Sequence, residues 1–117
     1  MVWTRYFKTI ELSTISAGGT ATGEWTPEAD ITIHKIIVSE RNNNHLRDVY
    51  FTIKVADRPI TLDVIPAEIL GNNFEYCYKP EVEVREGTKI WIKAENRGTS
   101  DKTVDVIIEF SYTTPKE

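Results

Sequence analysis

From position 82 to position 112, apolar side chains return at every second residue. That period limits the fold more than any other feature of the chain. The apolar positions are Val82 and Val84, then Ile90, Ile92 and Ala94, then Val104, Val106, Ile108, Phe110 and Tyr112. Between them lie mostly charged residues, among them Lys89, Lys93, Asp105 and Glu109. Successive side chains of a strand point to opposite faces, so each run predicts a strand with one face buried and the other in water. Trp91 and Ile107 interrupt the polar face and are expected to need cover.

Upstream, strand-like segments recur between turn signals. Residues 6–15 alternate around Ile10 and Leu12 and stop at Ala17-Gly18-Gly19. Residues 20–26 are Thr-rich and end at Pro27, which has no N–H to give a ladder. In 31–39 the apolar positions shift from Ile31 and Ile33 to Ile36-Ile37-Val38, which predicts a bulge or a fully buried end. A polar loop at 40–47 precedes a clear alternation at 49–55, with Val49, Phe51, Ile53 and Val55 inward. Short strands are expected at 60–65 and 74–78, separated by one helical turn at 66–70 that Gly71 stops. About eight short strands and no long helical period predict an all-β fold: a two-sheet antiparallel sandwich, in one domain spanning 1–117.

Two arrangements of the tail satisfy this pattern. In a hairpin about Thr99, Lys89 faces Glu109, Trp91 faces Ile107 and Lys93 faces Asp105, with Ile92 opposite Val106 on the inner side. Opposite charges directly across a strand pair favour it by about 0.2–1 kcal/mol each. In a crossover, the last two strands lie in opposite sheets and none of these pairs forms.

The stretch Val84-Arg85-Glu86-Gly87-Thr88-Lys89-Ile90-Trp91-Ile92 resembles the penultimate strand of jelly rolls in the tumour-necrosis-factor and complement-C1q-like group. The pattern is also similar to single jelly-roll coat proteins of icosahedral viruses. Two further pieces share the general layout of those viral subunits: the segment 18–27 leading into 31–38, and Asp57-Arg58-Pro59-Ile60-Thr61 at a turn. The end, Ile107-Ile108-Glu109-Phe110-Ser111-Tyr112, departs from the aromatic-glycine signature of the C1q group. The resemblance implies a jelly roll of about eight strands with the crossover tail. It also implies a structural role as a viral coat, vertex or decoration subunit, carried in a virion and assembled in the host cytoplasm.

Bulk properties remove several classes. The net charge of −4 argues against a generally basic surface for neutralising phosphates, and no run of Lys and Arg marks a local patch, so sequence-specific nucleic-acid binding is not expected. No stretch nears the ~20 apolar residues of a membrane span. The first residues carry no apolar run of a signal peptide, so folding in the cytoplasm is expected. Cys77 is the sole cysteine and cannot form an intramolecular disulfide.

Little points to catalysis. There is no nucleophile elbow, phosphate loop or paired-histidine zinc motif. Of the two histidines, His34 lies in a predicted strand and reads as an edge or packed residue. His45 sits in an Asn-rich loop near Asp48, where a metal would still lack ligands. No enzyme activity, cofactor or metal is expected. A small metal-dependent enzyme of cupin type is the second alternative.

The residues off the core parity are more telling. Trp3, Tyr6 and Phe7 crowd the N-terminal segment, and with Trp91 and Ile107 they form the candidate interface. An N-terminal arm folded over Trp91, in its own subunit or a neighbour's, would cover both groups. The expected partners are other copies of the chain, as a trimer or larger assembly, or other structural subunits. In the first alternative, a carbohydrate- or receptor-binding module, Trp25, Tyr50, Tyr76 and Tyr78 stack on sugar rings.

Overall fold

The computed structural model describes residues 4–42, 45–60, 65–70 and 77–112. Within them run nine strands: β1 (Tyr6–Ile15), β2 (Thr20–Trp25), β3 (Ile31–Glu40), β4 (Val49–Val55), β5 (Arg58–Pro59), β6 (Ile65–Pro66), β7 (Val82–Val84), β8 (Ile90–Asn96) and β9 (Lys102–Tyr112). One helical turn, α1 (Ala67–Leu70), stands between β6 and β7, where the expected turn falls. Of the expected strand at 60–65, residues 61–64 lie outside the described residues; Ile65 begins β6, and β5 falls at Arg58–Pro59, within the turn the sequence implies. Of the expected strand at 74–78, residues 74–76 and Gly71 also lie outside them, and Tyr78 makes a single bridge to Ile36. No helix among the described residues is long and apolar enough to cross a membrane.

The strands divide into two antiparallel sheets, ordered β1-β9-β3-β7 and β2-β8-β4-β5, with β6 also on β4. The chain moves from one sheet to the other between β1, β2, β3 and β4 in turn, and again between β7, β8 and β9. Such interleaving is the strand order of a jelly roll. The tail therefore crosses over. Ile92 pairs with Gly23 and Ile53, whereas Val106 pairs with Ile10 and Val38 in the other sheet. The hairpin pairs do not form, and each of their charges has another partner. Lys89 meets Glu24 at 3.3 Å, Lys93 meets Glu95 at 3.5 Å, Lys35 meets Glu109 at 3.8 Å, and Arg41 holds Asp105 at 2.9 Å. A two-stranded ribbon would bury one face against nothing, whereas the crossover lets two apolar faces meet.

Buried Asn96 fixes the crossing point. Its backbone bonds with Gly18 and Gly19, and its side-chain amide donates to the carbonyls of Ile15 at 3.0 Å and Ser100 at 2.8 Å. The core between the sheets is mainly Ile and Val, with Phe51 its largest fully buried side chain. These stiff, branched residues fit a pleated surface, which is why the same residues drive both strand formation and packing.

Of the two readings of the parity shift in β3, the bulge is the one that forms, between Ile33 and Lys35. A second bulge, between Glu11 and Thr14, bends β1 where Ser13 adopts φ 61°. Gly23 lies where the facing sheet leaves no room for a side chain. A Cβ there would lie 2.6 Å from Ile10 Cγ2 and 2.7 Å from Leu12 Cδ2. Gly23→Ala should therefore overpack the β1/β2 corner and cost about 1–3 kcal/mol, read as a lower urea midpoint at constant m-value.

Candidate assembly surfaces

Tyr6 and Phe7 are the exposed large apolar side chains among the described residues, at 41% and 56%. Both stand on β1, the outermost strand of its sheet, whose far side pairs with no other described strand. Alternation along β1 sends them to opposite faces. Tyr6 shares the inner parity of Ile10 and Leu12, and stacks on Phe110 at 5.8 Å and edge-on against Tyr112 at 5.3 Å. Trp25 packs on Phe110 from the other sheet at 5.0 Å, which completes an aromatic cluster at one end of the sandwich. Phe7 points outward beside Glu109, its register partner on β9. Trp3 lies outside the described residues.

Trp91 and Ile107 do face outward, but from different sheets and therefore from opposite sides of the molecule. Trp91 pairs with Glu24 and Lys54, and the Lys54 ammonium sits 5.1 Å from its ring centre. Ile107 lies between Thr9 and Ile37 in the other sheet. The expected arm over Trp91 is not how the described part of the N-terminal segment runs. Residues 6–15 are bound along β9, so their aromatics cover Phe110 and Tyr112 instead. The four described interface candidates thus resolve into one aromatic edge, with Tyr6 and Phe7, and two separate half-buried positions, Trp91 and Ile107.

The described stacking candidates Trp25, Tyr50 and Tyr78 do not share a surface. Trp25 belongs to the end cluster. Tyr50 lies on the outer face of β4 with the Arg97 guanidinium 4.1 Å from its ring centre. Arg97 also bonds Glu95 at 2.9 Å and holds its carboxyl below the usual range. Tyr78, beside the β3 edge, donates its hydroxyl to the Ile60 carbonyl at 3.2 Å, and burial pushes it up from its ordinary value. Tyr76 lies outside the described residues. His45 and Asp48 are both exposed, and no group of three or more His, Cys, Asp or Glu converges on a metal site among the described residues.

Sequence reasoning missed a relay. His34 is the extra residue of the β3 bulge, and bulges re-aim side chains. Its Nε2 lies 2.7 Å from Ser111 Oγ on β9, and its Nδ1 lies 2.9 Å from Glu81 Oε2. Glu81 sits at φ 48°, a left-handed conformation uncommon outside glycine. Glu81 and Ser111 are 47 and 77 positions from His34, so no local motif signals them. His34→Ala removes both bonds and should lower stability by about 1–2 kcal/mol in urea unfolding.

At the opposite edge from β1, an open cleft of about 520 Å³ separates the β4–β5 turn from β7. Val55, Ile60 and Val82 form its apolar floor, with Asp57, Arg58 and Glu83 around it. Nothing in the sequence marks this seam, because its lining comes from segments far apart in the chain.

No model of a known protein family matches the chain. No curated protein matches it. Among solved structures it is similar to the core of NLP from Drosophila, described for pentamer formation and histone binding. The identity is 14%, with 92% of this chain and 97% of that chain covered, at a TM-score of 0.40. A likeness at this level bears on neither partners nor assembly.

Proposed function

We propose that the chain is a structural subunit that works by assembling with copies of itself, without enzymatic activity, as a viral coat, vertex or decoration protein does. The observation that carries the reading is the placement of Tyr6 and Phe7, both exposed, on β1, the outermost of the described strands in its sheet. An edge strand presents unpaired N–H and C=O groups, and natural proteins usually blunt it with charge, proline or a bulge. Here the bulge at Ser13 blunts only the far half of β1, and the near half carries two aromatics. Large exposed aromatics on an outermost strand are what an interface centre uses. The viral version draws on the strand order, which single jelly-roll coat subunits share.

The Ser111–His34–Glu81 relay supports a non-enzymatic reading despite its hydrolase-like order of groups. In acyl transfer the serine must touch the substrate while the carboxylate is shielded. Here Ser111 is 5% exposed and the Glu81 side chain 61% exposed, the reverse arrangement. The relay instead braces β3, β9 and the segment entering β7. Electron microscopy of the concentrated, purified chain tests the proposal. Closed particles of uniform size are expected, and a field of isolated single domains would refute it.

A further inference from the structure

We infer that assembly runs head to tail, with the β1 edge of one copy seated in the β7-side cleft of the next. The inference rests on the assembly reading above and names its two surfaces. Three observations converge on it.

The first is direction. β1 runs antiparallel to β9, β9 to β3 and β3 to β7, so β1 and β7 are antiparallel to each other at the two edges of one sheet. A neighbour related by rotation about an axis along the strands brings its β1 to this β7 in the antiparallel sense. The sheet then continues from copy to copy with its alternation unbroken. Such a heterologous contact closes into a ring when the rotation divides a full turn.

The second is shape. The cleft has an apolar floor of Val55, Ile60 and Val82. In a continued sheet, inner side chains stay on the inner side. Tyr6 shares the inner parity of Val82, so the side of its ring not packed on Phe110 and Tyr112 would border this floor, and Phe7 would lie over the outer face beside Glu83.

The third is charge. The aromatic pair is framed by Arg5 and Lys8, both exposed, and the nearest acid along the strand, Glu11, is engaged by Arg41 at 3.1 Å. The cleft carries Asp57 and Glu83, both exposed and neither ion-paired among the described residues, against one cation, Arg58. Parity matches the signs too. Arg5 alternates to the outer side, where Glu83 lies, and Lys8 to the inner side, toward the turn that bears Asp57.

Charge reversal tests this by sedimentation velocity, with circular dichroism confirming that each variant is folded. Arg5→Glu with Lys8→Glu, and separately Asp57→Lys with Glu83→Lys, should each weaken association by roughly 100-fold, because like charges are brought together. The chain carrying all four substitutions has both surfaces reversed and should recover association to within about tenfold of the original. Wild-type association that survives the Asp57/Glu83 reversal would overturn the cleft as receptor while leaving self-assembly intact. It would point to β1 pairing with β1 about a twofold axis. Failure of the folded fourfold variant to recover would also overturn the inference. A monomeric wild-type chain would remove the assembly reading itself.

Discussion

Phe51→Ala is expected to cost about 3–5 kcal/mol, the loss typical of truncating a fully buried phenylalanine. Phe51 stands at the middle of β4, paired with Ala94 on β8 and Ile65 on β6, and is completely buried. Val49 and Ile53 flank it on the same inner face, equally buried. Its neighbours are mostly β-branched and hold one side-chain rotamer, so they cannot collapse far into the space left behind. Domains of this size have net stabilities of roughly 5–15 kcal/mol, so this one substitution should bring the chain near its unfolding threshold. Urea unfolding should show the midpoint fall sharply with an unchanged m-value. A loss under about 1 kcal/mol would mean that the two sheets do not close over β4 as described.

Phe7→Ser should do the opposite: weaken association by roughly 30- to 100-fold while leaving the folded subunit within about 0.5 kcal/mol of the original. Phe7 is more than half exposed, so its removal opens no cavity. In the proposed assembly its main contribution is what it meets across the interface. Trp91→Ser provides the contrast. Trp91 lies on the outer face of the other sheet beneath Lys54, and is not among the residues lining the cleft. That change should leave association within about threefold, well inside the effect of a neutral rim position. Equal loss of association in both variants would place the interface on the sheet faces and not on the edge.

The strands themselves were legible because one-sided burial writes a period of two into the sequence. The tail, β4 and the bulge in β3 all follow from the positions of their Ile, Val and Phe residues. The partner of each strand was not legible, because a strand with one apolar face fits any other apolar face. Lys89, Lys93, Asp105 and Glu109 illustrate this. Their signs match across an imagined hairpin, yet in the fold each is paired with a different residue. Parity alone also placed Trp91 and Ile107 outward correctly. It carried no information on sheet membership, and they stand on opposite sides of the molecule. The relay of His34, Glu81 and Ser111 and the seam lined by Val55, Ile60 and Val82 depend entirely on topology. Gly23 read as one small residue in a Thr-rich strand, and only the approach of Ile10 and Leu12 from the facing sheet shows why a side chain is excluded there.

Self-assembly is tested most directly by the solution mass of the purified chain, measured by light scattering across a dilution series. One subunit is 13.4 kDa. The expected result is a defined multiple of that mass at high concentration, falling toward a single subunit on dilution. A particle of one subunit's mass at every concentration would contradict the account.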